Sequence, residues 1–246
     1  MMSRFLSALA ATLLAGAAQA GELAVIESSG APALPPGGVV ADDRPLAVPA
    51  GGRVVLMDAS GRTLALAGPF EGVPTLKADG GDSRLLQAVA TLVASTGHDV
   101  TTVGATRGYA WRIGSVKTLA DVMALDASEG GRACLYDLSK AELVRSPTDT
   151  QPEATLMAVN SGEAATLAWP ADSPRIAWPA DVPLRDGESY LIEQPAKQTV
   201  AEVTIKILQG EPASLPGRLQ QFVEAGCDDQ ARLLLALMAN EAGKGG

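Results

Sequence analysis

Between residues 23 and 67 the apolar positions come in short runs separated by glycine and proline, the spacing of strands. Leu23 to Glu27 is compact and apolar, Pro35-Pro36-Gly37-Gly38 breaks the chain, and Arg44 to Pro49 leads into the turn Ala50-Gly51-Gly52. Arg53 to Met57 carries apolar residues on both faces, so this strand should be buried on both sides. Asp58 to Gly61 predicts a hairpin turn, Thr63 to Ala67 pairs back on the preceding strand, and Gly68 to Gly72 ends the hairpin.

The period then changes. Leu85, Leu86, Val89, Leu92 and Val93 fall on one face of a helix, which Asp82 or Ser83 can cap and Gly97 can stop. This helix covers the β-unit or joins it to the next one. Residues 98–118 are polar and Gly-rich and read as a linker with a short strand around Tyr109 to Ile113.

From about residue 120 strand signals return: Met123 to Asp126, Ala133 to Asp137, Glu142 to Arg145, Ala154 to Val159, Ala165 to Trp169, Arg175 to Trp178, Tyr190 to Glu193 and Ala201 to Leu208. Short strands at regular spacing suggest a β-sandwich. In the tail, Leu219, Phe222 and Val223, then Ala231, Leu234, Leu235 and Met238, make two apolar stripes separated by Gly226, with Asp228 able to cap the second helix. The pattern is a short αα-hairpin docked on the β-domain. The expected protein is mainly β: a β-unit with its covering helix (21–97), a linker (98–118), a β-sandwich-like domain (119–210) and a helical tail (211–246).

The first twenty residues set the compartment. A short positive start at Arg4, an apolar run from Phe5 to Ala17, and Ala18-Gln19-Ala20 as a small-x-small site predict a signal peptide cut near Ala20. The run is shorter than the ~20 residues of a span, and no Cys stands at the cut to carry a lipid. The expectation is a soluble periplasmic or secreted protein without a membrane span. Loss of Arg4 with the leader leaves 18 basic residues against 28 acidic ones, a net charge of −10. With no basic cluster, nucleic acid and anionic membrane are poor partners. Aromatic residues make up only 4%, so Val, Leu, Ile and Ala must supply the core.

An even cysteine count in an oxidising compartment points to a Cys134–Cys227 disulfide, against the alternative of two buried or unpaired thiols. The spacing fits neither a CxxC redox motif nor a zinc site. The segment from Leu167 to Leu184 repeats a nine-residue unit, LAWPADSPR then IAWPADVPL, with Trp169 and Trp178 at matching places. Two units are too few for a solenoid. The structural reading is two extended segments, each ended by Trp-Pro and a turn, with the indoles buried at a sheet edge. The functional reading is an exposed pair of indoles that binds a sugar or peptide.

Little else resembles chemistry. His98 is the only histidine, and it caps a helix end or faces solvent; the usual zinc combinations need more. There is no Gly-x-Ser-x-Gly elbow and no phosphate loop. Asp42-Asp43 and Asp228-Asp229 are adjacent pairs that suit loops and caps, and Asp79 to Asp82 lacks the spaced oxygen ligands of a calcium loop. Arg107 is either a salt-bridge anchor or a partner contact. No catalytic residue, metal or cofactor is expected.

The stretch from Arg44 to Gly72, RPLAVPAGGRVVLMDASGRTLALAGPFEG, resembles the FecR-type periplasmic β-domain in its order of glycine, hydrophobic strand, Asp-x-x-Gly turn and hydrophobic strand. The likeness covers roughly residues 22–75. FecR-type sensors proper also carry an anti-sigma segment and a transmembrane helix, which this chain is expected to lack. The resemblance implies a periplasmic interaction or scaffold module and assigns no functional residues. The resulting expectation is a non-catalytic envelope protein that binds other envelope proteins, with carbohydrate or cell-wall binding through Trp169 and Trp178 as the alternative.

Overall fold

The structure is a computed structural model that describes residues 21–77, 83–95, 115–146 and 153–244. The expected leader, His98, Arg107, the Asp79–Asp82 stretch and the strand expected around Tyr109 to Ile113 lie outside the described residues. The protein is mainly β, with several sheets and two C-terminal helices.

The N-terminal strands are β1 (Glu22–Ser29), β2 (Val39–Ala41), β3 (Leu46–Val48), β4 (Arg53–Asp58), β5 (Thr63–Ala67) and β6 (Phe70–Gly72). Four of them form an antiparallel sheet in the order β2-β1-β4-β5, while β3 and β6 pair separately. The alternation in β4 explains its double burial. Val54 and Leu56 join Leu23, Val25, Leu46 and Val48 in one core. Val55 and Met57 point the other way, into a second core with Ala24 and Ile26.

The β4–β5 hairpin is organised by Asp58, whose side chain is fully buried. Its Oδ1 accepts from Ser60 N (3.0 Å), Ser60 Oγ (2.7 Å) and Arg62 N (2.9 Å), while Arg62 Nε donates to Oδ2 (2.7 Å). Gly61 has φ +81°, and a Cβ there would stand 2.4 Å from Pro216 Cβ, so only glycine closes the turn at this distance from the C-terminal helices. Two features depart from expectation. Gly68 to Gly72 does more than end the hairpin, because Phe70–Gly72 turns back to pair with β3. Val39–Ala41 forms an unexpected edge strand on β1.

Helix α1 (Ser83–Ser95) buries Leu85, Leu86, Val89, Leu92 and Val93 on the expected face, against β1 and the β4 residues Val55 and Met57. Helix α2 (Leu119–Met123) overturns the expectation of a strand beginning at Met123. Thr118 and Asp121 make a capping box that starts a helix here, and only Leu125–Asp126 (β7) is extended.

The remaining strands are β8 (Gly131–Leu135), β9 (Glu142–Val144), β10 (Glu153–Ala158), β11 (Ala164–Ala168), β12 (Arg175–Ala177), β13 (Ser189–Gln194) and β14 (Thr199–Ile207). A five-stranded sheet runs β11-β10-β13-β14-β8, antiparallel except for the parallel β14–β8 pair. A three-stranded sheet runs β12-β9-β7, and both sheets feed one core that includes Leu143, Leu156, Tyr190, Ile192 and Ile205. Strand β8 ends at Leu135, two residues short of expectation, because the Asp137 side chain accepts from Ser139 N and starts a 3-10 turn.

The tail is α3 (Leu215–Ala225) and α4 (Asp228–Ala242). Ser214 caps α3 and Gly226, in the left-handed region, ends it. Asp228 is not the cap of α4: Cys227 occupies that position without a side-chain cap bond, and Asp228 and Asp229 lie in the first turn. The hairpin also goes deeper than a docked tail. Leu219, Phe222, Leu234 and Met238 share the core of Ala24, Met57, α1 and Cys134, so the helices pack against both the N-terminal sheet and β8.

Candidate functional site

The duplicated segment is resolved by its hydrogen bonds. Trp169 follows β11 and Trp178 follows β12, and each is succeeded by the same turn. Ser173 N donates to Pro170 O (3.3 Å), and Val182 N donates to Pro179 O (3.2 Å) at the matching place. The repeat is one local device used twice: a short strand, an indole, and a Pro-Ala-Asp turn. Trp169 is 7% exposed, and the Arg145 guanidinium carbon lies 5.5 Å from its ring centroid. Its Nε1 is buried without a hydrogen-bond partner among the described residues. Trp178 is half-buried; its Nε1 donates to Val182 O (2.6 Å), and its ring meets Tyr190 edge-on at 5.0 Å. Tyr190 Oη in turn donates to Pro183 O (2.7 Å) and accepts from Arg185 N (2.9 Å), tying this turn to the sheet.

Cys134 on β8 and Cys227 before α4 form a disulfide with Cα atoms 5.9 Å apart. One helical turn further, Gln230 reaches the same strand residue. Its Nε2 donates to Cys134 O (2.9 Å) and its Oε1 accepts from Cys134 N (2.5 Å). The side-chain amide takes the place a neighbouring strand would occupy at the β8 edge.

The opposite edge is different. The β10–β11 hairpin is pinned by Gly162 in the left-handed region, with Ala158 N donating to Glu163 O and Gly162 N to Ala158 O, both 2.9 Å. That register makes Leu156–Ala165 and Ala154–Leu167 the pairs that exchange hydrogen bonds. The N–H and C=O groups of Ala164, Thr166 and Ala168 therefore point away from β10. Among the described residues β11 pairs only with β10, and its sequence AATLA has neither charge nor proline. Charge and proline are two of the devices that commonly protect a sheet edge.

A third feature is a cleft of about 50 Å³ between the β7–β8 connection and the start of α4, lined by Asp126, Glu129, Arg132, Asp229, Gln230 and Leu233 among others. Burial, reinforced by the charges of Asp126 and Asp229, pushes the Glu129 carboxyl up to about 7. Burial also raises Asp229, opposed by Arg232 at 3.1 Å. In the sequence Asp229 reads only as a loop or capping charge beside Asp228, and its meeting with Glu129 is not legible there, because the fold brings the two together from a hundred residues apart. Among the described residues no group of His, Cys, Asp and Glu has the arrangement of a metal site, and no helix is long and apolar enough to cross a membrane.

No protein-family model matches the chain, and neither the curated proteins nor the solved structures contain a match to it.

Proposed function

We propose that this chain is a protein-interaction or scaffold module of the bacterial cell envelope, non-catalytic and exported by its leader. The observation that carries the reading is the β11 edge, which among the described residues is paired on one side only. It offers three outward peptide groups on an uncharged, proline-free strand, backed by a sheet anchored to the helices by a disulfide. Such an edge accepts an extended segment by strand addition, with backbone hydrogen bonds supplying affinity. The Cys134–Cys227 bridge is compatible with an oxidising compartment. The two sheets sharing one core support the sandwich-like description of the middle region, and the β4–β5 hairpin supports a FecR-like description of the N-terminal unit. Burial of Trp169, together with the inward bond of Trp178 Nε1, argues against an exposed indole platform for sugars.

The test uses Thr166→Pro. Thr166 N–H lies outside the β10 ladder, so proline removes an outward donor while sparing the internal sheet bonds. Affinity capture from envelope extract should recover a partner with the native chain and lose it with the folded variant. Unchanged recovery with Thr166→Pro would show that this edge does not bind partners.

A further inference from the structure

The outer face of the five-stranded sheet constrains what can join it. Ala164, Thr166 and Ala168 present their side chains to this face, and behind them in register stand Met157, Thr155 and Glu153 on β10. Further across come Leu191 and Glu193 on β13, then Glu202 and Val200 on β14. Met157 is 38% exposed and Val200 59%, so the face carries uncovered apolar surface as well as carboxylates. Glu153, Glu193 and Glu202 are exposed and make no ion pair among the described residues. Lys206 and Arg185 do not serve them, since they hold Asp186 (3.1 Å) and Glu163 (2.7 Å).

The small side chains of β11 matter here. Alanine at 164 and 168 leaves a low step between an added strand and β10. Strands lie about 4.8 Å apart, so Glu153 is about 10 Å from an added strand, a gap that an extended basic side chain and the glutamate close together. Met157 is equally placed for a large apolar side chain passing over Ala164.

Resting on the edge-pairing reading above, we infer that the segment received by β11 is an antiparallel strand of a partner protein with a basic residue opposite Ala168, a small or β-branched residue opposite Thr166 and a large apolar residue opposite Ala164. In the partner these positions are i, i+2 and i+4. Its i+1 and i+3 side chains turn to the inner face, beside Leu167 and Ala165, and are apolar. Antiparallel pairing is the more stable choice per residue. A second copy of this chain fits less well. Its β11 offers only Ala, Thr and Ala to the outer face, and each exported chain, with 18 basic against 28 acidic residues, carries a net charge of −10 and brings its own Glu153 to the seam.

The probe is a blocked peptide with the core Arg-Val-Thr-Val-Ile flanked by Ser and Gly, titrated calorimetrically into the full chain purified after export by its own leader. Binding should be saturable, and replacing the peptide's Arg by Glu should weaken it roughly tenfold or more. Glu153→Lys, an exposed change that leaves the fold untouched, should reverse that preference. Moving Arg one place along the peptide, which sends it to the inner face, should abolish binding. Equal binding of the Arg and Glu peptides, lost with Thr166→Pro, would keep the edge as a docking strand and overturn the charge pattern. No binding by any peptide, or self-association that Thr166→Pro disperses, would overturn the inferred partner as well; in the first case, unchanged envelope capture with Thr166→Pro would remove the edge reading too.

Discussion

Gln230 grips Cys134 by both of its backbone polar groups, accepting its N–H at 2.5 Å and donating to its carbonyl at 2.9 Å, from the same helix whose first residue follows Cys227. All three residues are at most 5% exposed. Removing the amide leaves the buried N–H and C=O of Cys134 without the partner that satisfies both. Gln230→Ala should therefore destabilise the fold by about 2–4 kcal/mol, since each unsatisfied buried group costs about 1–3 kcal/mol. Urea unfolding curves measure this directly; a loss below about 0.5 kcal/mol would mean that β8 finds another partner.

The disulfide acts beside that grip. It closes 93 residues of chain, and its loss should cost up to about 4 kcal/mol through the freed unfolded state. Thiol titration of the native protein should find no reactive cysteine. Cys227→Ser and Gln230→Ala act on one strand residue from one helical turn, so their effects should be non-additive by about 0.5 kcal/mol or more in a double-mutant cycle. Strict additivity would show that bridge and amide act independently.

The two tryptophans should separate in their response. Trp169 is buried in the core, and Trp169→Ala should cost about 3–5 kcal/mol. Trp178 is half-buried and keeps one bond to Val182, so Trp178→Ala should cost less, about 2 kcal/mol. In variants that retain a single tryptophan, a soluble quencher should reach Trp178 more readily than Trp169. The reverse order would contradict this packing.

Much of the fold follows from local pattern. The double-sided burial of β4 was readable in Val54 to Met57, where no position is polar. The stripe from Leu85 to Val93 marked α1, and the even cysteine count marked the bridge. Elements of three residues, such as β2 and β6, carry too few positions for any period to register, and they exist only because β1 and β3 stand ready to pair with them. Helix α2 was hidden differently. Its apolar residues suit a strand, and the signal against one was the Thr118–Asp121 capping box, further held by the Arg175–Asp121 ion pair across the fold. The one-sided pairing of β11 among the described residues and the grip of Gln230 depend on strand order, so they become visible only once the sheets are assembled.

Strand order also creates the cleft at Glu129, and with it a dependence of stability on pH. The carboxyl stands at about 7 in the folded protein against an ordinary value of 4.5, because burial and the charges of Asp126 and Asp229 disfavour its ionised form. Between these two values the folded chain holds a proton that the unfolded chain has released. Stability is therefore greatest below about 4.5 with respect to this group and falls as pH rises through about 7. The full difference would amount to about 3 kcal/mol, but the carboxyl is half-exposed, and solvent screening reduces the expected effect to about 1 kcal/mol. Glu129→Gln removes the ionisation without changing the shape of the side chain. It should raise stability at pH 8 by about 1 kcal/mol and leave it nearly unchanged at pH 4. Denaturation midpoints of the two proteins from pH 4 to 8 should diverge across that interval. Parallel midpoints throughout would mean that Glu129 ionises in the folded protein as freely as in the unfolded chain.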